Sequence, residues 1–182
     1  MNQRIWPIGI AIASLLIPVS FTTVLQQHPA AAAAVKTSKI NSNPFYSDDG
    51  RFSINFPGEP STINKKNEAD GTLTYIFNVF GERSFYQVAY SDILIPPNLV
   101  KAELIKVLKD IPPAYAQGLE AKLSETKDIQ LSDNPGLEFK FSRSGQTGLG
   151  RIYIVGVRLY IITSMGNSPK ETSSFLNSFD LR

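Results

Sequence analysis

The chain has no cysteine, one histidine (His28) and one tryptophan (Trp6), and both of these single residues fall in its first 33 positions. From residue 45 onward Cys, His and Trp are all missing. That absence excludes thiolate and imidazole zinc sites, Ser-His-Asp and Cys-His catalysis, His-ligated haem and any disulfide framework from this part of the chain. Clustered charge of one sign is missing too. Lys and Arg number 18 against 16 Asp and Glu, a net charge of +2, with the signs interspersed. A nucleic-acid binder needs concentrated basic charge to displace counterions, so no nucleic-acid partner is expected.

Charge is also scarce at the start. Arg4 is the only charged residue before Lys36. An uncharged run from Ile5 to Leu25 follows it, and then five alanines, Ala30 to Ala34. A basic start, an apolar middle and a small-residue stretch are the three parts of an export signal, expected over 1–33. The alternative is a retained anchor, since Ile5 to Leu25 is about long enough to cross a bilayer. Pro7 and Pro18 interrupt it. Membrane contact is expected only through this segment, if it is uncleaved. Residues 34–44 are polar and read as a linker. Residues 45–182 are long enough to bury a core without staples.

What is there reads first as strands. Arg51 to Phe56 alternates, with Phe52, Ile54 and Phe56 on one face; period two with one apolar face is a half-buried strand. Ser61 to Asn67 is polar and reads as an edge strand. Asp70-Gly71 signals a hairpin into Thr72 to Phe80. Gly81-Glu82-Arg83 turns the chain into Phe85 to Ile93. Together these predict an antiparallel meander, ended by Pro96-Pro97. The period then changes. Val100, Leu104, Val107, Leu108 and Ile111 form one helical stripe. Pro112 and Pro113 predict a break, followed by a short second helix from Pro113 to Glu120. Lys122 to Leu131 reads as a strand, and Asn134-Pro135-Gly136 as a turn. Leu137, Phe139 and Phe141 alternate with Glu138 and Lys140, and Gly145 to Gly148 turns again. Arg151 to Val155 and Arg158 to Thr163 are apolar strands hinged at Gly156, dense enough for the sheet centre. Ser168-Pro169-Lys170-Glu171 is a capping box opening a helix whose inner face is Thr172, Phe175, Leu176 and Phe179. The fold class is α+β: an antiparallel sheet of six or seven strands with helices packed on it, on opposite faces.

Glu138, Arg151 and Arg158 are the charges of most interest, with Tyr153 and Tyr160 beside them. They fall on strands expected to be neighbours. One reading is an anion or peptide-carboxylate site, because Arg offers a bidentate fork. The other is a structural ion pair, worth about 0.2–1 kcal/mol across a ladder. Asp48-Asp49-Gly50 offers too few oxygens for a calcium loop and reads as an Asx turn. The glycines of SGQTGLG lead into a strand, not a helix N-terminus, and read as a hairpin and not a phosphate cradle. The aromatics Tyr46, Tyr75, Phe77, Tyr86, Tyr90, Phe139, Phe141, Tyr153 and Tyr160 suit either a sheet core or a pocket lining. No catalytic residue, metal or cofactor site is assigned.

The succession RFSINFP, YQVAYSDI, an amphipathic helix, NPGLEFKF, RIYIVGVRLYIIT and a terminal helix with FLNSFDL resembles the PsbP-like family, over Phe45 to Leu181. This is the α/β/α sandwich of an extrinsic photosystem II subunit, shared with a Ran-binding nuclear-import factor. Within that family the chain resembles small secreted relatives of unassigned function. The resemblance implies an exported protein of the periplasm or thylakoid lumen, with no enzymatic activity, that docks to or helps assemble a membrane complex, a photosynthetic one in the family's own setting. The chain departs from relatives that are lipoproteins, having no cysteine to lipidate, and from those with His metal sites. Three functions compete: a non-catalytic binding module, a small-ligand or lipid carrier with an aromatic cleft between sheet and helix, and a hydrolase working without His or Cys.

Overall fold

The computed structural model describes residues 44–67, 71–82, 84–93 and 101–182. The expected export signal, the expected linker up to residue 43, Asp70, Arg83, Pro96-Pro97 and Val100 lie outside the described residues. The main sheet has seven strands, all antiparallel, in the order β3-β4-β5-β9-β8-β7-β6. These are β3 (Ser61–Lys66), β4 (Leu73–Phe80), β5 (Phe85–Asp92), β6 (Lys122–Leu131), β7 (Asn134–Arg143), β8 (Gln146–Val155) and β9 (Arg158–Met165). As the apolar density predicts, β9 is the middle strand, and only its first residue is not buried. The α+β expectation holds, with one correction. The Phe52 strand does not join the meander. It is β2 (Phe52–Ile54), the centre of a second sheet between β1 (Phe45–Ser47) and β10 (Asp180–Leu181). Its apolar side chains lie against the face of the main sheet, and its second neighbour comes from the far end of the chain, which local periodicity does not reveal.

Alternation along each strand sends its side chains to two cores. On one face Ile76, Phe85, Leu137, Phe139, Phe141, Ile152 and Ile161 pack with Leu108, Ile111, Tyr115 and Leu119. On the other Tyr86, Val88, Tyr90, Tyr153, Tyr160 and Ile162 pack with Phe52, Ile54, Phe56, Phe175, Leu176 and Phe179. The helices α1 (Lys101–Gly118) and α2 (Pro169–Asn177) therefore lie on opposite faces.

The predicted break at Pro112-Pro113 does not occur. One helix runs through both prolines, so the expected separate helix from Pro113 to Glu120 is part of α1 up to Gly118. Each proline forfeits a helical hydrogen bond, at about 3 kcal/mol. The stripe continues past them, with Val107, Leu108, Ile111, Tyr115 and Ala116 all buried and Leu119 beyond the helix end. Burying each large apolar side chain returns about 1.5–3 kcal/mol, so packing outweighs local propensity. The helix ends in a Schellman motif: Ala121 N–H donates to Ala116 O (2.8 Å) and Glu120 N–H to Gln117 O (3.0 Å), with Glu120 left-handed at φ 53°. The α2 start is as predicted. Glu171 N–H donates to Ser168 Oγ (3.3 Å) and Ser168 N–H to Glu171 Oε2 (3.0 Å), with Pro169 opening the helix.

Two turns move. The β6–β7 loop is Ser132-Asp133, not Asn134-Pro135-Gly136, which lies inside β7. Pro135 is tolerated because it pairs only with Gln130; the β8 ladder begins at Gly136. The β7–β8 loop is Ser144-Gly145, with φ 50° and 78°, the mirror-type turn that hairpin twist favours. This leaves Gly148 and Gly150 within β8. They are opposite Phe141 and Phe139, whose rings lie across them; a Cβ at either would come within 2.3 Å of a ring atom. On the other face Gly136 gives the same room to Tyr153.

Candidate functional site

Arg158 opens β9, and all three nitrogens of its guanidinium are engaged. Nε and Nη2 hold Asp92 Oδ1 and Oδ2 at 2.6 and 2.9 Å, and Nη1 donates to Asp49 O in the β1–β2 turn. The group also sits 4.8 Å from the Tyr90 ring centroid. The hydrogen bond from Arg158 is the main reason the Asp92 carboxyl lies below its usual pKa, and the same bond raises that of Arg158. Two residues on, Tyr160 donates to the next carbonyl of that turn, Gly50 O, at 2.8 Å. Arg158 and Tyr160 thus clasp the turn of the small sheet to the middle of the large one. Burial raises the Tyr160 and Tyr153 hydroxyl pKa values.

Arg151 forms the second clasp. As expected for one of the two arginines, it pairs with Glu138, its direct register partner, at 2.9 Å. Its Nη1 donates to Leu176 O (3.2 Å), supplying a cation to the last turn of α2, which has no basic residue of its own. The structure sets Tyr153 and Tyr160 directly opposite each other, both against Phe179, but places the charged candidates in two separate clasps. Glu138, Arg151 and Tyr153 tie β7–β8 to α2, and Arg158 and Tyr160 tie β9 to the β1–β2 turn.

Two further features escape the sequence reading. Tyr115 sends its hydroxyl from α1 to Gln87 Oε1 (3.1 Å) and Thr163 Oγ1 (2.8 Å), and Gln87 Nε2 donates to Asn78 Oδ1 (2.8 Å). This polar seam crosses three adjacent strands beneath the helix. Its signal was the helical stripe itself, which reaches Tyr115 once the prolines are read through. The second is a cleft of about 410 Å³ between α1 and the β6–β7 hairpin, lined by Ile105, Leu108, Ile129, Pro135 and Leu137, together with Asp128 and Gln130. Its lining mixes aliphatic side chains with Asp128 and Gln130, which oppose Leu137 and Pro135 on the same sheet face, so the expected aromatic cleft is not what the helix covers: Phe139 and Phe141 pack directly against Tyr115.

The electrostatics hold groups away from neutrality. Asp92, Glu125 and Glu171 titrate below their usual range because Arg158, Lys140 and Ser168 hydrogen-bond them. Burial raises Tyr86 to about 12, with help from Glu171, and Tyr115 further. General acid–base work needs a group near the operating pH, and none of these shifts supplies one.

No protein-family model matches the chain, and no curated protein does. Among solved structures it is similar to cyanobacterial PsbP (CyanoP) from Synechocystis sp. PCC 6803, determined in solution, with a TM-score of 0.58 and 9% sequence identity. The match covers 82% of this chain and 98% of that one. The chain thus has a PsbP-like fold.

Proposed function

We propose that this protein is an exported, non-catalytic binding or assembly module of the PsbP-like type that docks to a membrane protein complex. The carrying observation is that a PsbP-like fold spanning nearly all of the CyanoP chain has its most suggestive charged residues used as clasps between layers, with none left as an acid–base pair. Fold alone does not fix activity, so the reading rests on what the site residues do. The N-terminal pattern of an export signal supports a partner in the periplasm or thylakoid lumen. The test is recovery of the C-terminally tagged full chain from its own membranes. We expect co-purification with one membrane complex at low salt and release at high salt, as electrostatic docking requires. Absence from the membrane fraction at both salts, or substrate turnover by the purified chain, overturns it.

The cleft beneath α1 favours a second reading, a carrier of a small apolar ligand, since its volume falls within the usual range of ligand sites. Native mass spectrometry of protein purified from its source organism should then retain a bound lipid or small molecule. Ligand-free protein in every preparation rejects it.

A further inference from the structure

The two edges of the main sheet are built differently. On β6 four of ten residues are charged, Lys122, Glu125, Lys127 and Asp128, and its register slips by one residue between Leu123 and Glu125. Charge and a bulge are the usual means of blunting an edge. The other edge, β3, has neither along most of its length. Its six residues pair with β4 without interruption, on one side only among the described residues, and Ser61 to Asn64 carry no charge. Of the five exposed large hydrophobic side chains described, three lie on the β3–β4 hairpin: Ile63 (42% exposed), Leu73 and Phe80.

We propose that β3 is the seam of a symmetric homodimer, in which two copies join edge to edge in antiparallel register centred on Ile63. The charge pattern selects both partner and direction. Glu59 precedes the strand and is exposed, and Lys65 and Lys66 end it. An antiparallel copy brings the acidic start of one strand to the basic end of the other, twice over; a parallel copy would stack lysines on lysines. Directly opposed residues in an antiparallel pair share the same hydrogen-bonding direction, so the twofold axis must pass through a residue and not between two. Placing it at Ile63 sets the two isoleucines opposite each other on one face. It also puts Glu59 diagonal to Lys65 of the partner subunit on that same face. The joined strands are short, so association depends on concentration.

The absence of cysteine makes the test direct. Ile63→Cys in the full chain creates a single thiol on the axis. Cα atoms of opposed residues lie about 4.5–5.5 Å apart, inside the roughly 4.4–6.8 Å that a disulfide spans. Mild oxidation with diamide should give a covalent homodimer from Ile63→Cys and little from Ser124→Cys on the opposite edge. Sedimentation equilibrium should show the unmodified chain passing from monomer to dimer as concentration rises. Ile63→Lys, at an exposed position, should stay monomeric with an unchanged melting temperature. Equal cross-linking at both positions, a monomer at every concentration, or a dimer surviving Ile63→Lys overturns the proposal. Cross-linking of Ile63→Cys to a different polypeptide in place of its own copy does so as well. If Ile63→Lys fails to fold, the two cysteine variants still decide.

Discussion

Gly150 shows how much one missing side chain can decide. Phe139 lies flat across it, and a Cβ there would sit 2.3 Å from the ring and 2.9 Å from Thr163 Cγ2. Neither neighbour is free to move, since Phe139 is buried and stacks on Phe141. Gly150→Ala should therefore destabilise by about 1–3 kcal/mol, as overpacking does, read from the denaturant midpoint. Asp92 carries a pH dependence. Its folded pKa is lowered, so its pairing with Arg158 contributes fully above the ordinary carboxylate value and is lost as pH falls through the lowered one. The Asp92 side chain is 58% exposed, so screening keeps the contribution to about 1 kcal/mol or less. Asp92→Asn should lower the melting temperature slightly at neutral pH and match the wild type in strong acid. The Glu138–Arg151 pair was legible because adjacent hairpin strands set its register. Asp92 was not, because β5 and β9 meet only after the whole of α1 and β6–β8 has intervened.

At the scale of elements, α1 is where local rules and tertiary packing disagree most. Its prolines told the truth about propensity and misled about the helix, because the buried stripe runs on to Leu119. The strands were legible because period two survives in nearly every one. Turn positions were less so, because Ser132 and Ser144 adopt left-handed φ values that the sequence advertises poorly. The Glu120 cap is a comparable local misfit. A side chain in the left-handed region costs about 1–2 kcal/mol, while glycine in its place gives back roughly 0.4–1 kcal/mol through the freer unfolded chain. Its ion pair with Arg143 is loose at 3.6 Å and the Glu120 side chain is 85% exposed. Glu120→Gly should thus raise stability by up to about 1 kcal/mol, seen as a higher melting temperature. At the other helix, Ser168→Ala removes the capping oxygen and should cost about 1 kcal/mol in the same assay.

Across the whole molecule, the small sheet and the clasps do the joining. Phe179 stacks on Phe52 and Tyr153 and meets Tyr160 edge-on, while Leu181 pairs with Phe52 through β10. Removing residues 179–182 should cost at least the roughly 3–5 kcal/mol of a buried Phe truncation, measured by chemical denaturation, although the seven-stranded sheet retains all its strands. Little of this arrangement was legible, because a two-residue strand has no periodicity and its partner lies more than a hundred positions away. Beyond β10, the Arg182 N–H reaches Arg51 O at 3.0 Å. Residues 180–182 therefore fasten strands that precede them by more than a hundred positions. Without them the aromatic flank of the main sheet has no latch, so closing that flank waits on contacts of very long sequence separation, the kind that slows folding most.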